Sequence, residues 1–319
     1  MPDIKYMKKS TFIAGLIVLI IISLLIILSF DKKAEAPEKT KKITIITTLF
    51  PLYDFAKNIG QDKVEVYLLL PPGTEAHSFE PKPSDIARIN QSDLFIYTGE
   101  FMEPWVQDVL KGVSNQNLKI VDSSTGIALM PSAFRDEDEA EGAPDPHIWL
   151  DFDSSKKIVQ TIADALGEKN PANADFYQQN ADEYKNKLSA LDAKYTKTLS
   201  QCRSKEIIYG GHYAFGYLAR RYDLKYIAAQ GISPDSEPTA KDLIALIEQI
   251  KKDNIQYIFY EELTAPKISE TLADETDAKL LLLNPGHNLT KEDFENNISF
   301  ISIMEKNLTS LSQGLNCKQ

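Results

Sequence analysis

An α/β protein of two βα lobes, each with a mainly parallel sheet and both arranged around one long helix, is what this chain of 319 residues predicts. Three observations lead there. From Ile43 onward, short β-rich runs alternate with helical stretches, the pattern of parallel strands covered by helices. After Pro171, residues 172–201 contain neither Gly nor Pro, and after Cys202 the strand–helix alternation begins again.

In the first lobe, "ITIITTLF", "VEVYLLL", "DLFIYTG" and "LKIVDSS" read as strands, with "YDFAKNIG" and "SDIARINQ" as helices between them. The stretch "SSKKIVQTIADALGEKN" carries apolar residues at helical spacing. Phe176, Tyr184, Leu188, Leu191, Tyr195 and Leu199 then phase as one helix, longer than the usual three turns and therefore a rigid spine. In the second lobe, "EIIYGG", "KYIAAQ", "IQYIFYEEL" and "KLLLLNPG" read as strands. Its helices are "YAFGYLARRYD", "AKDLIALIEQIKKD", "ISETLADET" and one final helix over "FENNISFISIMEKNLTSLSQGL".

The N-terminus has a different character. Lys5, Lys8 and Lys9 precede an uncharged, mostly apolar run from Thr11 to Phe30, long enough to span a bilayer. The expected organisation is a cytoplasmic N-terminus at 1–10, a signal-anchor transmembrane helix at 11–30 and a polar tether at 31–42. An N-terminal lobe at 43–170, a linking helix at 171–201 and a C-terminal lobe at 202–319 follow. "AEA" at 34–36 offers the alternative of signal cleavage and a secreted or periplasmic chain. Either way the lobes are extracytoplasmic. No cysteine follows the apolar run to carry a lipid.

A net charge of −11 argues against nucleic acid and favours cations. The acidic run "RDEDEAE" at 135–141 reads as a solvated loop. Cys202 and Cys317 are the two cysteines, and export permits a disulfide between them, two unrelated thiols being the alternative. A loop of that length would contribute about 4 kcal/mol.

The histidines carry the chemistry. There are four, His77, His147, His212 and His287. His77, His212 and His287 follow the ends of β-like runs, where open parallel sheets bind ligands, and His147 precedes "IWLDF". Taken singly, each reads as a surface or capping residue; taken together, the four equally fit one shared site. If they converge, imidazole suits zinc, copper, nickel and iron better than manganese or magnesium. Four such donors fill a tetrahedral zinc, which suits a binder and not a hydrolase needing an open position. Glu75, Glu80, Asp145, Asp151, Glu261 and Glu262 stand near them in sequence, as partners orienting the imidazoles or as surface charge. No HExxH, GxSxG, P-loop or GxGxxG pattern occurs.

"GTEAHSFEPKPSD", "DPHIWLDF", "GGHYAFGYLARRYDL", "GISPDSEPTAKDL" and "LLLNP", with a tail "LT…F…N…MEKNL…L", occur in that order from about residue 43 to 317. In these motifs the chain resembles the zinc and manganese substrate-binding proteins of ATP-binding-cassette importers (cluster A-I), zinc type. The resemblance implies two lobes joined by one backbone helix, a metal in the cleft between them, and delivery to an ABC-type zinc permease. It implies a monomer and no enzyme activity. His77, His147 and His212 match three of the family's ligands. Manganese-type members commonly hold glutamate at the third position, so His212 implies Zn2+ as the transported ligand, with Mn2+ the alternative. At the fourth, zinc-type members often read "NPLEGLT" and this chain reads "NPGHNLT", placing His287 there; Glu261 or water is the substitute. The His-rich loop of some zinc-type members is replaced here by the histidine-free "RDEDEAE". An exported zinc-dependent hydrolase and a surface adhesion protein with a structural metal are the competing readings.

Overall fold

Strands whose residues are buried on both faces must be covered on both sides, and this chain does so twice. The computed structural model describes residues 15, 17–23, 42–132, 143–235, 237–263 and 267–318. In the first sheet, β1 (Ile43–Thr47), β2 (Val64–Leu68), β3 (Leu94–Tyr97) and β4 (Lys119–Asp122) run in the order β2-β1-β3-β4. The second repeats that order with β5 (Glu206–Tyr209), β6 (Lys225–Ala228), β7 (Tyr257–Tyr260) and β8 (Lys279–Leu282), as β6-β5-β7-β8. Every registered pair is parallel, as Ile45 with Val66 and Phe259 with Leu281 illustrate. The fold is thus α/β with two parallel sheets.

Alternation along each strand separates two kinds of core. Ile45 and Ile96 of the first sheet join Ile207 and Phe259 of the second in one cluster that also takes in Leu188, Leu191 and Phe300. The opposite faces pack outward: Ile46 and Phe95 with Ile89, Val106 and Val109, and Ile208 and Ile258 with Leu246 and Leu272. The inner faces therefore share a single core.

Helix α1 (Phe50–Gly60) opens with Pro51 in its first turn, where a missing N–H costs nothing. Helix α2 (Pro83–Gln91) and a short α3 (Val106–Lys111) cover the outer face of the first sheet. α3 was not predicted: six residues are too few to show a helical period. Helix α4 (Phe152–Lys169) is N-capped by Asp151, which accepts from Ser154 N. A 3-10 turn at Pro171–Asn173 then leads into α5 (Ala174–Ser200), 27 residues long. Tyr184, Leu188, Leu191, Tyr195 and Leu199 of α5 are buried. Its polar tips reach a helix that follows the first strand of the first sheet and a segment beyond the last strand of the second: Tyr184 OH donates to Asp54 on α1 at 2.6 Å, and Tyr195 OH to the Met304 carbonyl at 2.5 Å.

Helices α6 (Gly216–Arg221), α7 (Ala240–Lys252) and α8 (Lys267–Asp274) belong to the second βα set. The single final helix expected from sequence is instead two, α9 (Lys291–Glu295) and α10 (Phe300–Gly314). Asn297 sits at φ 54, a left-handed conformation no helix continues through, and Ser299 caps the second segment by accepting from Ser302 N. Cys202, just past α5, and Cys317, just past α10, form a disulfide across 115 residues of chain.

Met1–Lys41 is a unit of its own, in which residues 15 and 17–23 are described and helical, with Ile17 to Ile22 exposed. Among the described residues no helix is long and apolar enough to cross a membrane. The rest of the expected 11–30 span, nearly all of the 31–42 tether and the acidic run at 135–141 lie outside the described residues.

Candidate metal centre

All four histidines lie on loops, three of them after the carboxyl ends of strands, where parallel strands leave their loops pointing to one side. His77 follows β2 through a turn in which Gly73 takes φ +82, and its backbone N–H donates to Glu75 Oε1 at 3.0 Å. His147 stands just before a 3-10 turn, and Asp145 Oδ1 accepts from both its backbone N–H (3.0 Å) and its Nδ1–H (2.8 Å). His212 comes three residues after β5 and donates from Nδ1 to Glu261 Oε2 at 2.7 Å. His287 lies five residues past β8, with Nε2 3.9 Å from Glu261 Oε1.

The rings meet. Nε2 of His147 is 3.2 Å from Nε2 of His77 and 3.2 Å from Nε2 of His212. His287 packs edge-on to His212 and to His77, with ring centroids 5.6 and 6.4 Å apart. His147, His212 and His287 are buried, and His77 alone keeps some exposure.

Those distances decide between two kinds of polar cluster. An imidazole whose Nδ1–H is given to a carboxylate presents a bare lone pair at Nε2. His147 and His212 are both in that state, so their facing nitrogens repel unless a cation lies between them. Tetrahedral zinc with bonds of about 2.0–2.1 Å sets neighbouring donors about 3.3 Å apart, close to the 3.2 Å found here. Glu75 Oε2, Asp145 Oδ2, Glu261 Oε1 and both ring nitrogens of His287 are buried without hydrogen-bond partners among the described residues. Buried polar atoms are seldom left so. Two overlapping donor groups emerge, His77 with His147 and His212, and His212 with Glu261 and His287.

Burial and charge disfavour protons on three of the four donors. Burial, reinforced by the neighbouring imidazoles, holds His77 and His147 well below the ordinary histidine value. Burial also lowers His287. For His212 burial pulls the same way, but the Glu261 carboxylate outweighs it and the ring ends above its ordinary value. Glu261 is in turn held down by His212 against its own burial, whereas burial pushes Asp145 up to about 7.

Of the six carboxylates near the histidines in sequence, Glu75, Asp145 and Glu261 are at the cluster. The others are not. Asp151 caps α4 and accepts from Arg221 Nη1 at 2.7 Å, Glu80 is exposed, and Glu262 is exposed and accepts from Asn284. Sequence reasoning passed over Trp149, whose Nε1–H donates to the Pro285 carbonyl at 2.8 Å, and over the contacts of Asn288, because both act across more than 130 residues.

Comparison with known proteins identifies the family. The family model described as the periplasmic zinc-uptake complex component A matches residues 45–314. The high-affinity zinc uptake system protein ZnuA of Bacillus subtilis is 38% identical over 293 residues, covering 89% of this chain and 91% of that protein. The zinc-binding lipoprotein AdcA of Streptococcus pneumoniae is 37% identical over 279 residues, covering 85% of this chain but 56% of AdcA, so this chain spans little more than half of that relative. The crystal structure of the Zn(II)-bound ZnuA-like domain of the same AdcA superposes with a TM-score of 0.75 at 37% identity, over 86% of this chain and 100% of that one. Members of this family are transport proteins and not enzymes. By a match that runs through both sheets and all four histidines, this chain belongs to the family of the periplasmic zinc-uptake complex component A.

Proposed function

We propose that this chain captures Zn2+ in the cleft between its lobes through His77, His147, His212 and His287, and delivers it to an ABC-type zinc permease. The observation that carries the reading is the approach of the His77 and His212 Nε2 atoms to 3.2 Å of His147 Nε2, with the far nitrogens of His147 and His212 committed to carboxylates. Nitrogen donors favour zinc over manganese, which prefers oxygen-rich sites. Asp145 and Glu261 orient two of the rings and offset the ion's charge.

With four protein donors no position is left open for an activated water, so the site binds and releases rather than hydrolyses. The reading places the lobes at 43–170 and 202–319, on either side of the linking helix at 171–201, in a monomer. It places the protein outside the cytoplasm, held to the membrane by the apolar segment 11–30, with cleavage near "AEA" as the alternative.

Isothermal titration of the full chain with Zn2+ and with Mn2+ tests this. One equivalent of zinc, bound more tightly than manganese and weakened by His287→Ala, is expected. Equal affinity for the two ions would contradict the reading, as would an unchanged His287→Ala.

A further inference from the structure

The loop that carries His287 leaves β8 of the second sheet, and its start is tied there through Leu283 to Tyr209 and through Asn284 to Asn307 and Glu262, yet from Pro285 to Leu289 it bonds to the first lobe. Phe50 N donates to the His287 carbonyl at 3.1 Å, and Gly73 N to the Leu289 carbonyl at 2.7 Å. Trp149 Nε1 donates to the Pro285 carbonyl at 2.8 Å. Asn288 is fully buried and donates twice from Nδ2, to the carbonyls of Pro71 and Thr74, each at 2.8 Å, while its Oδ1 accepts from Leu289 N at 2.8 Å. Those two carbonyls bracket Pro72 and Gly73, the turn that leads to Glu75 and His77. A primary amide carries two donors on one nitrogen, and it is this pair that spans the turn.

His287 needs such support more than its counterparts do. His147 and His212 are each oriented by a carboxylate at Nδ1, whereas neither ring nitrogen of His287 has a hydrogen-bond partner among the described residues. With no hydrogen bond to orient its ring, its place relative to His77 depends on its backbone, and that backbone is tied to the His77 turn by the neighbouring Asn288 side chain.

We infer that Asn288 is a positioning residue that fixes His77 and His287 as one unit, so that the fourth imidazole is encoded in the second lobe but held by the first. This rests on the proposed zinc site. Loss of the strap leaves the donors present and their spacing free.

The test uses the full chain, with zinc affinity measured by competition with a chelator, in four proteins: wild type, Asn288→Ala, His287→Ala and the double variant. Residues that orient metal ligands typically change affinity by about tenfold to hundredfold, and Asn288→Ala is expected to weaken binding by that much with stoichiometry unchanged. In the His287→Ala background the same substitution has only the His77 turn left to hold and no longer a pair to space, so its cost should be clearly smaller than in the wild type. The Co2+-loaded Asn288→Ala protein should also show altered d–d bands. An equal loss in both backgrounds, or wild-type affinity with a wild-type Co2+ spectrum, would overturn the inference. If Asn288→Ala does not fold, Asn288→Gly, the residue of the "NPLEGLT" pattern, takes its place with the same expected outcomes. Failure of the wild type itself to bind zinc would refute the proposed function instead.

Discussion

Replacing Glu261 by Gln removes one charge from the centre and almost no volume. The His212 Nδ1–H bond to Glu261 Oε2 is 2.7 Å long between side chains 0% and 1% exposed. A hydrogen bond to a charged group contributes about 1.5–3 kcal/mol and a neutral one about half as much, so the weakened bond alone costs roughly 1 kcal/mol. A zinc about 2 Å beyond His212 Nε2 would lie about 6 Å from the carboxylate, and at an effective dielectric of about 20 the lost attraction reaches about 5 kcal/mol before solvation offsets it. The usual effect of an outer carboxylate, about tenfold to hundredfold in metal affinity, falls between these limits. A loss of that size is therefore expected in a chelator competition at pH 7.5.

The pH profile separates charge from shape. In the wild type burial lowers His212, and Glu261 outweighs it so that the ring holds its proton to a higher pH than usual. Zinc must displace that proton, so wild-type affinity falls as pH drops through the raised value. With Gln, burial is opposed only by the weaker pull of Glu75 and Asp145, and the fall begins at lower pH. Wild-type affinity in Glu261→Gln, or a profile displaced toward higher pH, would refute the reasoning.

Three further outcomes follow from the same structure. His77, His147 and His287 are held below the ordinary value, so the unfolded chain takes up their protons first and their stability is lost as pH falls below about 6.5; His212, held above it, contributes stability that is present at low pH and lost as pH rises. Asp145 and Glu103, pushed up to about 7 by burial, gain stability over the same window and offset part of that loss, so the histidine contribution is read as a difference. Between pH 7 and pH 5 the melting temperature of the metal-free wild type should fall further, relative to its pH 7 value, than that of metal-free His77→Ala; an equal or smaller change in the wild type would contradict the burial account. Paired Cys202→Ser and Cys317→Ser substitutions should cost about 4–5 kcal/mol for a loop of 115 residues, read from denaturant midpoints; an unchanged midpoint would show that the bond does not form in solution. Tyr184→Phe strips the buried Asp54 of its 2.6 Å donor and should destabilise by about 1–3 kcal/mol while leaving zinc affinity unchanged, so a variant with altered affinity would join the α5 contact to the site.

How much of this is legible in the sequence depends on the range of the interaction. β3 reads clearly because "LFIY" is buried on both faces, and α5 because its apolar residues keep one phase over seven turns. The end of the chain misleads: the apolar period runs on through Asn296–Ser299, and only the left-handed Asn297 and the Ser299 cap break it. His77, His212 and His287 share a context visible in one dimension, just past strand ends, whereas "IWL" after His147 folds as a 3-10 turn and not a strand. The histidines' carboxylate partners are not visible in that way, since Asp151 and Glu262 look as suitable as Asp145 and Glu261 until folding commits Asp151 to Arg221 and the α4 cap. Asn288 is the extreme case, an unremarkable polar residue whose partners, Pro71 and Thr74, are more than 200 residues away.

The central claim is that four imidazoles hold one zinc ion. Zinc K-edge X-ray absorption of the loaded full chain reads the donors directly. Four nitrogen neighbours at about 2.0 Å, with the outer-shell scattering of four imidazoles that drops to three in His287→Ala, is the predicted result. A first shell of five or six mixed oxygen and nitrogen donors, or an imidazole count unchanged by His287→Ala, would contradict it.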